Sequence, residues 1–299
     1  MKRNNYAGNG LFLGVEDLEW FGLDVSGETS QVGQNSWDRK AGEIRMTENW
    51  SASKLHEAAR SAYHSGNLRK GMTIVQRCLD ADPDDGRAWE LSGLIHYSGG
   101  HFLHSVHALE LASALVPLRS AGRVCLAHAY AKTNRIGLAC DLMTDLIDDD
   151  SMSVPLLLQV AAGFDSIDQP DLAVRTCQRV IQRDGQVAQA HYDLGFYAGR
   201  IGLPRQQIEL SIRKAVELSP DVAQYRVGLA GLLLEQEQAE EACDLVADLS
   251  DAELTSLDCS CCLQRLATLY RLAADERRVV VCQRRLTDLE VGASKTHHS

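Results

Sequence analysis

From position 53 onward, apolar and small residues recur with the spacing of helices that each bury one face. Leu55, Ala58, Ala59 and Ala62 stand at i, i+3, i+4 and i+7, one stripe of a helix. Gly66-Asn67 then supplies a turn, and Met72, Val75, Cys78 and Leu79 form a second stripe that Asp82-Pro83 stops. The pattern predicts helix, short turn, helix. It then repeats: Trp89, Ser92, Gly93 and His96, a turn at Gly99-Gly100, and Ser105, Leu109 and Ala112 closing at Pro117. Pro117 minus Pro83 is 34 residues, a period at which paired-helix repeats recur.

Further copies follow with more irregularity. A third, from about 120, carries Leu126, Ala127 and Tyr130, and its second helix needs a one-residue deletion to stay in phase. A fourth, 154–187, has Val160, Ala161, Phe164, Ala173, Cys177 and Val180 in register, with Gly185 where a proline is due. The fifth, 188–222, carries His191, Leu194, Gly195 and Ala198, with one extra residue near Pro204. A sixth, 223–250, shows Leu229, Ala230, Leu233, Ala242 and Val246, after which 251–258 reads as a linker. The last pair, 259–290, retains Leu266, Ala267 and Tyr270, but its second helix is polar, as a terminal repeat that closes an open apolar face must be. The units are thus 52–85, 86–119, 120–153, 154–187, 188–222, 223–250 and 259–290, with 291–299 as a disordered tail.

This order of a large residue, a Leu-Gly pair, an aromatic, an Ala and a closing Pro resembles the tetratricopeptide repeat (TPR) family over about 52–290. Leu55 stands for the family's Trp in the first copy and His96 for its Tyr in the second. The resemblance implies an all-α α-solenoid, a right-handed superhelix of about seven TPR-like helix-turn-helix repeats. It also implies a concave groove lined by the first helix of each pair. Opposite the buried stripes, those helices carry His56, Arg60, Tyr63 and His64, then Arg87, Glu90, Leu94 and Tyr97. Val124, His128 and Lys132 follow in the third unit, and Tyr192, Phe196 and Arg200 in the fifth. Some members of the family clamp the terminal carboxylate of heat-shock chaperones with Lys and Asn side chains. Arg60 and Leu94 stand at the two Asn places, so that clamp is not expected.

Composition narrows the partner. The 299 residues are 45% hydrophobic and 24% charged, and 41 acids against 30 bases leave a net charge of -11. Such a chain repels nucleic acid and anionic membranes, and no early stretch is apolar enough for a secretory or spanning segment. The expected partner is another protein or peptide, and the expected location cytoplasmic. Nine scattered cysteines read as reduced thiols. Cys259-Ser-Cys261-Cys262 is dense, but without a second ligand pair and with thiols expected to fan around a helix, no metal site is predicted. His191-Tyr-Asp193 has the spacing of an iron triad and reads more simply as packing. No nucleophile, base and oxyanion donor come together, so neither enzyme activity nor a cofactor is expected.

Residues 1–50 lack a sustained period and read as a disordered arm. Within it, Leu11, Val15, Leu18, Trp20 and Phe21 mark an acidic, aromatic segment over 11–24 that is complementary to the expected basic groove. That segment is a second candidate occupant, in cis. The leading reading is a non-catalytic protein–protein interaction scaffold or adaptor. The alternatives are a TPR-type chaperone of secreted proteins, or a substrate-recognition subunit of a larger enzyme complex.

Overall fold

The structure, a computed structural model, describes residues 50–296. The arm and the segment over 11–24 lie outside the described residues. Fifteen helices and no strand occur among those described. The chain divides into two compact units between Ile167 and Asp168.

The first unit holds α1 (Ala52–His64), α2 (Leu68–Ala81), α3 (Gly86–Ser98), α4 (Phe102–Leu115), α5 (Ser120–Lys132), α6 (Ile136–Ile147) and α7 (Val154–Ser166). Consecutive helices pair as antiparallel hairpins. Leu55, Ala59 and Tyr63 of α1 pack with Ile74, Val75, Cys78 and Leu79 of α2 and with Ala88, Leu91 and Ile95 of α3, and Trp50 leans on the same cluster. Small residues mark the tightest crossings. A Cβ on Gly93 would lie 2.4 Å from Leu109 Cγ, so α3 and α4 meet only because that side chain is missing.

The second unit holds α8 (Pro170–Arg183), α9 (Ala188–Arg200), α10 (Arg205–Leu218), α11 (Ala223–Glu235), α12 (Ala239–Val246), α13 (Asp251–Ser256), α14 (Ser260–Leu272) and α15 (Glu276–Thr296). Gly195 repeats the role of Gly93 three periods later, with Ile212 Cγ1 2.6 Å from where its Cβ would stand. In the last pair, α15 buries Val279 and Cys282 and leaves Val280 and Val291 exposed.

Among the described residues, positive φ occurs at Gly66, Gly100, Asn134, Asp168, Gly202, Glu237 and Ala274, each following a helix. The first five stand 34 residues apart. The residue after the turn donates its N–H back five positions, as in Asn67 to Ala62, His101 to His96, Arg135 to Tyr130 and Asp275 to Tyr270, at 2.8–2.9 Å. This is the Schellman closure, which satisfies the carbonyls that a helix end leaves over. The third hairpin therefore stays in phase at its turn, and its irregularity falls in the shorter α6 and the loop behind it.

Two sequence expectations change. Residues 251–258 are not a plain linker: Ser250 and Glu253 form a reciprocal capping box that starts α13, and Leu254 is fully buried. The last helix does not end at Glu290 but runs to Thr296, so 291–296 is helix and not tail.

Candidate functional site

The first helices of the first unit converge on one concavity of about 1000 Å³. Its wall takes Ser53, His56, Glu57, Arg60, Tyr63 and His64 from α1, Arg87, Glu90, Leu91 and Leu94 from α3, Arg119 to Gly122 at the start of α5, and Ser151, Ser153 and Leu156 at the start of α7. All four helices are the leading members of their pairs, so one face of each is turned inward by the same 34-residue geometry.

Glu90 is the electrostatic centre of this wall. Its side chain is buried, yet it is charge-paired twice: Arg87 Nη1 donates to Oε2 at 2.8 Å and Arg119 Nε lies 3.3 Å away. The Arg119 backbone N–H donates to Oε1 at 2.7 Å, and Arg87 Nη1 also reaches the Pro117 carbonyl at 3.1 Å. Gly122 makes room for the carboxylate, since a Cβ there would lie 2.6 Å from Oε1. Burying a carboxylate is tolerated only when donors satisfy it in this way. Glu90 is therefore a strut that holds two arginines, not a ligand for incoming cations.

His56 Nε2 lies 2.5 Å from Asp85 Oδ2, and Asp85 also caps α3 by accepting from the N–H groups of Arg87 and Ala88. Tyr63 is buried, which pushes its phenol up to about 12 and keeps it neutral. The loop after α6 is fixed by Asp149, which accepts from the Ser151 hydroxyl at 2.6 Å and its N–H at 2.9 Å and pairs with Arg123. Those hydrogen bonds from Ser151, then Arg123, hold the Asp149 carboxyl down at about 2. Ser153, the N-cap of α7, presents an Oγ that has no hydrogen-bond partner among the described residues.

Of the residues expected in the groove, His56, Arg60, Tyr63, His64, Arg87, Glu90 and Leu94 meet here. Tyr97 and His128 do not: His128 is buried, donating from Nε2 to the Gln159 carbonyl at 3.0 Å and accepting from the Tyr97 hydroxyl at Nδ1, 3.3 Å away. Val124 is buried in the core, and Lys132 is exposed at the end of α5, away from this wall. Tyr192, Phe196 and Arg200 belong to the other unit. Tyr192 lies against Tyr225 with ring centroids 4.8 Å apart, Phe196 is exposed, and Arg200 pairs with Asp168 at 2.6 Å. His191 and Asp193 are held apart by different partners, the Gly185 carbonyl and the Gln189 amide. The sequence reading missed Arg119, Ser151, Ser153 and Leu156. The signal for two of them was their place just before a leading helix, where the N-cap falls.

Successive helix hairpins with a 34-residue turn period define the fold as the tetratricopeptide-repeat α-solenoid. Solved structures share it. The C-terminal part of a TPR repeat-containing protein from Cytophaga hutchinsonii matches with a TM-score of 0.58 and 14% identity, over 78% of this chain and 95% of that one. PilW, a type IV pilus biogenesis factor, matches at 0.56 and 14% over 66% and 91%. YrrB, a TPR protein with an unusual peptide-binding site, matches at 0.50 and 15% over 62% and 92%. No protein-family model and no curated protein matches the chain. No helix among the described residues is long and apolar enough to cross a membrane.

Proposed function

We propose that the chain is a non-catalytic interaction scaffold that holds an extended segment of another protein in the concavity of residues 50–167. The observation that carries this reading is the convergence of four leading helices on one wall with an apolar floor and a basic rim. Tyr63, Leu91, Leu94 and Leu156 supply the floor, and Arg60, Arg87 and Arg119 the rim. Glu90 and Glu57 on the same wall offset two of these three charges, which leaves the wall with one net positive charge from these side chains. A segment with acidic side chains alternating with aliphatic ones fits such a wall, since charge complementarity steers and apolar anchors hold. YrrB, with its own peptide-binding site, is an example of the fold put to such use.

The test is fluorescence anisotropy with acidic–aliphatic peptides at low and high salt, comparing the wild-type chain with Arg60→Ala. Arg60 is the cleaner probe because it is exposed, whereas Arg87 also holds Glu90. The expected outcome is an affinity that falls with salt and falls about tenfold in the variant, roughly 1.4 kcal/mol. Salt-independent binding that Arg60→Ala leaves intact removes the basic rim from the account. The arm segment at 11–24 is a candidate for the same wall, and a chain lacking residues 1–50 that binds peptide more tightly is the outcome that supports it.

A further inference from the structure

The second unit carries a group of thiols that the groove does not use. Cys259, Cys261 and Cys262 bring their Sγ atoms within 4.8 Å of one another. Cysteines at these positions inside a helix would point around its circumference. They converge because Cys259 is not in the helix: it is the N-cap of α14, with extended backbone (φ -91, ψ 108), and its side chain folds back over the first turn. There its Sγ accepts the Cys262 N–H at 3.3 Å and lies 2.7 Å from the Cys261 Sγ. All three are partly exposed, so a small ion can reach them.

The group sits at the start of a helix. The amino end of α14, whose Cys262 N–H reaches the Cys259 Sγ, turns the positive end of the helix dipole toward the sulfurs. Among the described residues no histidine or carboxylate joins the group, and the other six cysteines form no second one.

We propose that Cys259, Cys261 and Cys262 form a three-sulfur site for a soft, thiophilic monovalent cation, with Cu(I) as its representative. Three sulfurs about 2.3 Å from a central ion lie about 4 Å from one another, a spacing inside the 4.8 Å within which the three Sγ atoms fall. Thiolate donors select Cu(I) or Zn(II), and a group of three ligands with no fourth among the described residues favours Cu(I), because structural Zn(II) takes four. Binding releases the remaining thiol protons to solvent and changes no oxidation state.

The test titrates the reduced full chain, without oxygen, with Cu(I) held by bicinchoninate as a coloured competitor. The wild type is expected to withdraw one equivalent and the triple variant C259S/C261S/C262S none, with its far-UV circular dichroism unchanged. X-ray absorption of the loaded wild type is expected to show three sulfur neighbours and no oxygen or nitrogen. That measurement stands without the variant should the variant fail to fold. The proposal is overturned if the wild type withdraws no more than the variant or if fewer than three sulfurs surround the copper. Equimolar Zn(II) displacing the bound Cu(I) also overturns it, as does a disulfide between Cys259 and either neighbour in the chain isolated without oxidant.

Discussion

His128 offers a quantitative test of how the first unit is built. It is 7% exposed, with both ring nitrogens engaged. Burial holds its pKa down at about 4 from an ordinary 6.5; the Gln159 carbonyl opposes this and the Lys132 charge adds to it. Above pH 6.5 the ring is neutral folded or unfolded and contributes no pH dependence. As pH falls below 6.5 the unfolded chain takes the proton first, so stability drops until the folded pKa is reached. The gap corresponds to about 3 kcal/mol at the acid limit and to about 2 kcal/mol by pH 5. Tryptophan fluorescence of a chain carrying Trp20→Phe and Trp37→Phe reads this unit, since the remaining Trp50 and Trp89 both pack on its first core cluster. Urea titrations at pH 7.5 and 5 are compared between the wild type and His128→Gln, whose packing cost is common to both pH values and cancels. The wild type is expected to lose about 2 kcal/mol more than the variant. Equal losses would refute the assignment of His128 as a buried neutral strut.

Three other predictions follow from single contacts. Gly93→Ala places a methyl 2.4 Å from Leu109 Cγ, and because Leu109 is fully buried the variant should lose about 1–3 kcal/mol in urea unfolding. Ala274→Gly relieves a residue held at φ 56 and should gain about 0.5–1 kcal/mol, seen as a raised melting temperature; no gain removes strain from that turn. Glu90→Gln leaves Arg87 and Arg119 with a neutral partner and should cost about 1–3 kcal/mol while leaving the α-helical signal intact. A variant as stable as wild type would show that the arginines hold each other's places without it.

Much of the fold was readable because each hairpin must bury a stripe at helical spacing and each crossing demands a small residue. Gly93 and Gly195 show this most plainly. The turns were less readable, because glycine marks only three of the seven positive-φ positions. Asn134, Asp168, Glu237 and Ala274 hold a similar backbone with side chains attached, and at Asn134, Glu237 and Ala274 the Schellman hydrogen bonds impose it. Helix α13 was missed although its Ser250-Glu253 capping box stands in the sequence, because a broken repeat phase outweighed a local signal. Sidedness was the weakest step. His128 and Val124 sit at groove-facing register by counting, but α5 turns both into the core, and only the three-dimensional packing of α7 against α5 decides that. The convergence of the three thiols was missed for a related reason: one residue of the three lies outside the helix, where helical counting does not apply.

Hydrogen exchange of the full chain, with and without an acidic–aliphatic peptide selected for binding, tests the central claim most directly. The account predicts slowed exchange in α1 and α3, together with residues 119–122 and 151–156, and little change along the trailing helices α2 and α4. Protection confined to the trailing helices or to the second unit, with the leading helices unchanged, would contradict it.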